Sequence, residues 1–232
     1  MKKLKEFSGI LKTTGLFHDI ETSDLRSMLT CIGARTRRIR RGSYILLAGD
    51  KPEFVGIVLS GQLHIIREDY NGNRSIVAAI MPGGILAEAL CAAGVSESPV
   101  TIIAAADSTV MLLNFPRILH NCPNTCLFHR KLIKNLLQLV ANKNLFLQSK
   151  MEILSLKSVR EKVMLYLESF VPKQGKTIKI PFNREEMADY LCVERSALSH
   201  ELMKMKKDGL IDYRKNVFTL MAGQQVLPNL EP

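Results

Sequence analysis

The sequence predicts an α+β chain: an N-terminal double-stranded β-roll of the cupin-like jelly-roll kind, then a long helix, then a C-terminal winged helix-turn-helix. Three observations predict it. From Gly42 to Asn114 short apolar runs alternate with glycine-bearing turns, the pattern of a barrel or jelly roll. From Phe128 to Leu156 apolar residues recur at seven-residue spacing, the pattern of one long helix. From Lys176 to Leu220 the chain reads as strand, helix, turn, helix and hairpin.

Residues 4 to 30 read as short helices, with Leu25, Met28 and Leu29 on an apolar face. The basic run Arg35-Thr36-Arg37-Arg38-Ile39-Arg40-Arg41 reads as a solvated edge strand, since edge strands commonly carry charge. A second nucleic-acid patch is its other reading. Strands are expected at Tyr44 to Leu47, Val55 to Leu59, Leu63 to Arg67, Ser75 to Ile80, Thr101 to Ala105 and Val110 to Leu113. Gly49-Asp50, Ser60-Gly61, Asn71-Gly72-Asn73 and Pro82-Gly83-Gly84 punctuate them, and Tyr70 to Asn73 signals a hairpin. Gly84 to Ser96 is helix-like and bears a single acid, Glu88. No Lys or Arg occurs from Ser75 to Pro116.

On the long helix, Ile133, Val140, Leu147 and Leu154 form one apolar column, and Leu132, Leu139, Phe146 and Ile153 form another beside it. Two columns over four heptads exceed what one roll covers, so one is expected on the roll and the other on the same helix of a second copy. Lys143 and Lys150 interrupt a third column that runs through Leu136. A further helix is expected from Ser158 to Ser169, apolar at Val163, Leu165, Tyr166 and Leu167.

Asn183 with Glu186 three residues on makes an N-cap and capping box, so a helix starts at Arg184 and turns Met187, Ala188 and Leu191 inward. After a break at Cys192-Val193 a second helix carries Ala197, Leu198, Leu202 and Met205 at core spacing, and Gly209 stops it. Its other face presents Arg195, Ser196, Ser199, His200 and Met203, followed by Lys204, Lys206 and Lys207. Such a face can lie in the major groove, where hydroxyls, guanidinium and imidazole read base edges and lysines hold phosphates. The plainer reading is the solvated side of a helical hairpin. The strands at Leu210 to Tyr213 and Val217 to Leu220 flank a basic turn, Arg214-Lys215-Asn216, and complete a winged motif.

At 232 residues the chain is long enough for two cores, and its net charge of +10 suits an anionic partner. The N-terminal segment lacks the apolar core of a signal peptide, and the most apolar stretch, Val100 to Phe115, is too short to span a membrane. A cytoplasmic protein with no membrane partner is expected. Five cysteines without regular spacing fit a reducing compartment. Gly175-Lys176-Thr177 mimics the end of a phosphate loop, but Phe170 stands where its first glycine is required. No other catalytic motif stands out, so no enzyme is expected. His120, Cys122, Cys126 and His129 form a compressed set whose spacing is not a common zinc pattern; a structural role is preferred to a metal one, and no metal is assigned.

The order R-x-E-x-A-x-x-L-x-V-x-R-x-x-L-S-x-E-L-x-x-M-x-x-x-G-L-I from Arg184 to Ile211 resembles the DNA-binding domain of the cyclic-AMP receptor protein and fumarate-nitrate regulator (CRP/FNR) superfamily of bacterial transcription factors. The resemblance implies an effector-sensing roll at 1–126, a dimerisation helix at 127–156, a DNA-binding domain at 157–222 and a tail at 223–232. It implies a homodimer on a two-fold site in double-stranded DNA, with RNA polymerase as a partner if the protein activates. DNA-contacting candidates are Arg184, Arg195, Ser196, Ser199, His200, Lys204 and Lys215. Effector candidates are Gly84, Leu86, Glu88, Ala89 and Leu90, then Ser98, Pro99 and Val100, with Asn144, Leu147 and Gln148 from the long helix. Glu88 matches the acid of the cyclic-nucleotide cassette, while Ser98 and Pro99 stand where the cassette has the Arg-Ser phosphate clamp. A small effector other than a cyclic nucleotide is therefore expected, its identity and any cofactor unknown. The iron-sulfur cofactor does not carry over, since it uses an N-terminal cysteine cluster and the first cysteine here is Cys31. Two other readings are a cyclic-nucleotide-binding module without DNA function and a cupin-type metalloprotein. The second needs histidines converging from the roll, where His64 stands alone.

Overall fold

The computed structural model describes residues 2–119, 127–171 and 176–221. The chain divides into two compact units, Met1–Leu145 and Phe146–Pro232.

The first unit is built on two four-stranded antiparallel sheets. One has the order β1 (Arg35–Ile39), β8 (Ser108–Asn114), β3 (Phe54–Ser60) and β6 (Ile85–Leu86). The other has the order β2 (Tyr44–Leu46), β7 (Thr101–Ala104), β4 (Leu63–Glu68) and β5 (Arg74–Ile80). This is the jelly-roll arrangement expected from the turn spacing. Strand bounds shift by one or two residues from the sequence expectation: β3, β4, β5 and β8 extend past the apolar run, while β2 and β7 end one residue earlier.

β3 shows why the sheets stack as they do. Five consecutive residues from Val55 to Leu59 are buried, so both of its faces need cover. Val58 joins Leu63, Leu86, Ile102 and Val110 in the roll interior. Val55, Ile57 and Leu59 face a second cluster with Leu11 of α1 (Lys2–Thr13), Met28 and Leu29 of α2 (Thr22–Cys31), and Leu132 and Leu136 of α5 (Leu127–Ser155). A Cβ on Gly56 would lie 2.7 Å from the buried Leu86 side chain, so only glycine lets β6 approach β3 there. Gly84 to Ser96 differs from its helix-like expectation: Ile85 and Leu86 pair with β3, and only Glu88–Ala93 (α3) is helical. Phe115–Leu119 (α4) follows β8.

The second unit packs α6 (Val159–Glu168), α7 (Arg184–Leu191) and α8 (Arg195–Lys207) with the sheet β10 (Ile211–Arg214), β11 (Val217–Leu220) and β9 (Thr177–Lys179). Both α6 and α7 begin in capping boxes, Ser158 with Glu161 and Asn183 with Glu186. Tyr166, Phe182 and Tyr190 form an aromatic centre, with Tyr190 4.9 Å from Phe182 and 5.0 Å from Tyr166 between ring centroids. The Lys150 ammonium, on the last turns of α5, lies 3.9 Å over the Tyr190 ring. Burial there pushes its pKa down to about 8, against a smaller opposing pull from Cys192. Among the described residues no helix is long and apolar enough to cross a membrane.

Lys150 makes stability depend on pH with a defined sign. Its folded pKa of about 8 lies below the usual 10.5, so between those values the unfolded chain binds a proton that the folded chain lacks. Its contribution is therefore present above the usual pKa and lost as pH falls toward the folded one. Denaturant unfolding of wild type and Lys150→Met across that window should show a rise with pH in wild type that the variant lacks. Parallel curves would contradict it.

Candidate functional site

The helix-turn-helix is set by local chemistry at both of its ends. Asn183 Oδ1 accepts from the Glu186 amide at 3.0 Å, and Glu186 Oε2 accepts from the Asn183 amide at 2.8 Å, which fixes where α7 starts. Cys192 ends it in the left-handed region at φ 52°, turning the chain into α8. Leu198, Leu202 and Met205 bury one face of α8. Ala197, expected inward, is exposed: the core stripe runs through Leu198, Leu202 and Met205, and Ala197 stands one position, about 100°, to its side.

Arg195, Ser196, His200 and Lys204 are exposed on the other face, with Met203 between them, and Ser199 is half-buried. The helix is clamped from behind. Arg160 on α6 donates to Glu201 at 2.6 Å and lies 2.7 Å from Asp208, and both acids hold its pKa above the ordinary value. Sequence reasoning missed this clamp, since nothing local marks Arg160 as a partner of residues more than forty positions on.

The wing departs from the expectation for Arg184. Its guanidinium is 4.9 Å from the Tyr213 ring centroid and 5.5 Å from that of Phe218, and burial lowers its pKa. The side chain thus ties α7 to the wing. Lys206, one of the expected phosphate-holding lysines, instead pairs with Asp212 at 2.6 Å, which raises its pKa. Lys215 stands exposed at the wing tip with φ 56°, while Asn216 anchors the tip by donating to the Ile180 carbonyl at 2.9 Å.

In the first unit, Ala87 adopts φ 63° and delivers Glu88, 1% exposed, into the roll. The cation absent from Ser75 to Pro116 arrives from α5. Lys143 Nζ lies 2.7 Å from Glu88 Oε1 and donates to the Ile85 carbonyl at 2.6 Å. Glu88 Oε2 has no hydrogen-bond partner among the described residues. The one available signal was the lysine interrupting the Leu136 column.

The remaining cassette candidates divide. Leu86 is fully buried against Gly56, and a Cβ on Gly84 would meet Ile80 at 2.6 Å, so both are parts of the roll's packing. Leu90 packs on the same interior, while Ala89 and Pro99 are exposed and Val100 is half-buried. Ser98 Oγ donates to the Val100 carbonyl at 2.7 Å and closes a local turn. Asn144, Leu147 and Gln148 are exposed on α5. A hollow of about 240 Å³ in this unit is lined by Arg35, Glu53 and Arg117 among others, and by no cassette candidate. Cys91, near Glu88, donates to the Phe54 carbonyl, and burial first, then Glu88, pushes its thiol up to about 11.

Along α5 the columns separate. Leu132 and Leu136 are buried in the first unit, whereas Ile133, Leu137, Leu147 and Met151 are exposed. With Val140, Asn144 and Leu154 these fall at alternating spacings of four and three, the seam of a coiled coil. His120, Cys122 and Cys126 lie outside the described residues, and His129 is buried at the start of α5. His64 is buried in the roll with Nε2 2.8 Å from the Gln62 amide nitrogen.

Residues 36–120 match the cyclic nucleotide-binding domain family, and residues 153–222 match the Crp-like helix-turn-helix domain. The transcriptional activator protein FnrL of Cereibacter sphaeroides is 22% identical over 188 residues, which are 75% of this chain and 71% of that protein. Among solved structures, FixK2 of Bradyrhizobium japonicum superposes with a TM-score of 0.65 at 18% identity, covering 81% of this chain and 92% of that one. The c-di-GMP-responsive global regulator CLP of Xanthomonas campestris gives 0.72 at 15% identity, covering 88% of this chain and all (100%) of that one. The two matches follow one another on a single chain, a nucleotide-binding-type roll and then a Crp-like helix-turn-helix, and the chain belongs to the CRP/FNR superfamily of transcription regulators.

Proposed function

We propose that the protein works as a homodimer that binds a two-fold operator through α8 and answers to a small effector other than a cyclic nucleotide. The observation that carries the DNA reading is the exposed face of α8, where Arg195, Ser196 and His200 stand clear of a helix held from behind by Arg160. With Ser199 they read base edges; Lys204, Lys215 and Arg184 are assigned to phosphates, Arg184 from its seat on the wing. Two such helices would enter successive major grooves about 34 Å apart. The domain assignment keeps 1–126 for sensing, 127–156 for dimerisation and 157–222 for DNA. If the regulator activates, RNA polymerase is its further partner.

The bare stripe on α5 supports the dimer. Leu137 and Met151 are 70% and 69% exposed, a large apolar load for a surface that faces only water. Replacing both with Glu should leave a folded monomer by sedimentation and weaken operator binding about 100-fold or more, as the two half-sites cease to act together. A doubly substituted protein that still sediments as a dimer would sink the seam.

The tip of the wing separates stability from binding. A left-handed conformation costs an L-residue roughly 1–2 kcal/mol. Lys215→Gly should therefore raise unfolding stability by about 1 kcal/mol, yet reduce the salt dependence of operator binding by about one unit of slope for each protomer. Loss of stability, or an unchanged slope, would contradict the assignment.

For the effector, the Glu88–Lys143 pair supports exclusion of a phosphate. Lys143 is already neutralised by Glu88 at 2.7 Å, and a buried anion needs an uncommitted cation or several aligned amides. A neutral, apolar or cationic ligand, or none, fits better. Titration calorimetry with cyclic AMP and cyclic GMP should give no binding at micromolar concentration. Micromolar affinity that weakens in Glu88→Gln would overturn the reading.

A further inference from the structure

The chain's positive charge is concentrated away from its helix-turn-helix unit. Residues 1–145 carry 18 Lys and Arg against 11 Asp and Glu, a net +7, whereas residues 146–232 carry 14 against 11, a net +3. The densest contribution is Arg35, Arg37, Arg38, Arg40 and Arg41, five guanidiniums in seven residues with no acid among them. β1 places Arg35, Arg37 and Arg38 on the outer edge of its sheet, where it pairs with β8 alone, and Arg40 and Arg41 follow directly after it. All five arginines are exposed; Ile39 alone in the run turns inward. Among the described residues no side-chain ion pair engages any of them, and the nearby Asp107 carboxylate accepts the Arg41 backbone amide at 2.8 Å.

We propose that this arginine edge is a second nucleic-acid contact, holding the phosphate backbone of duplex DNA that flanks the base pairs read by α8. It rests on the DNA-binding reading above and extends it to the sensory unit. Guarding an edge strand against pairing with another chain takes far fewer charges than five of one sign, which repel one another unless a polyanion screens them. A strand spaces successive residues about 3.3 Å apart, so β1 spreads Arg35, Arg37 and Arg38 along its edge on alternating sides, and Arg40 and Arg41 carry the charge on into the turn that follows. A duplex offers the opposite charge, with one phosphate about every 1.7 Å of its axis. Arginine suits this partner because its guanidinium donates two parallel N–H groups to one phosphate. An acidic protein fits less well. Protein interfaces centre on exposed aromatic or apolar anchors, and from Arg35 to Ser43 the only apolar side chain is the buried Ile39. Interfaces with DNA are instead polar and strongly positive.

The test uses the full-length protein and its selected operator, centred in duplexes of about 22 and about 60 base pairs. Arg37, Arg38, Arg40 and Arg41 are replaced together by Gln; all are exposed, and thermal unfolding confirms that the fold is kept. On the long duplex the variant should bind at least about tenfold more weakly than wild type, with a salt slope smaller by up to about 3.6 for each engaged protomer. On the short duplex the two should agree. Equal affinity and slope on the long duplex overturn the proposal, as does an equal loss on both lengths. Wild type that binds neither duplex overturns the DNA-binding reading itself, and this proposal with it.

Discussion

A strand that is apolar on both faces cannot stand at a surface, and β3 imposes that constraint on the first unit. Val58 requires the second sheet of the roll on one side; Val55, Ile57 and Leu59 require a helical layer on the other. The start of α5 supplies part of that layer through Leu132 and Leu136. One stripe of the long helix is thereby held to the roll, and the stripe through Ile133 and Leu137 is left bare. Burial at roughly 25 cal/mol per Å² favours covering each of these faces, and only the roll-side faces are covered within one chain.

Two lysines on α5 show how the same helix handles polar groups among apolar ones. Lys143, half-buried, reaches the buried Glu88 carboxylate and the Ile85 carbonyl, so its charge is matched. Lys150 has an aromatic face beneath it, a weaker partner for a cation, and its lowered pKa records the residual desolvation. Glu88 keeps one oxygen without a hydrogen-bond partner among the described residues, which makes the cassette a polar point inside an apolar roll. Ala87, in a backbone conformation that L-residues seldom adopt, is what aims that carboxylate inward.

In the second unit the electrostatics sort cations by task. Arg160, Arg184 and Lys206 are engaged within the fold, by Glu201 and Asp208, by the wing aromatics and by Asp212 respectively. Those on the outer side of α8 and at the wing tip, Arg195, Lys204 and Lys215, stand in solvent. A count of basic residues does not distinguish the two groups.

The sequence by itself determined what depends on neighbours along the chain. The capping box at Asn183 and Glu186, the turn at Asn71-Gly72, the seven-residue columns of α5 and the strand periodicity all involve residues a few positions apart, and each element stands where they place it. Family membership was legible for the same reason, since the motif from Arg184 to Ile211 is local. Tertiary structure alone decided which cation meets Glu88, which acids hold Arg160, where Arg184 points and which α5 column stays bare. The ion pairs and the Arg184 ring contacts join residues 29 to 55 positions apart, for example Arg184 with Tyr213 and Lys143 with Glu88. Spacing along the chain carries no information about such pairs, because desolvation and Coulomb attraction act on distances that exist only once the sheets and helices have packed.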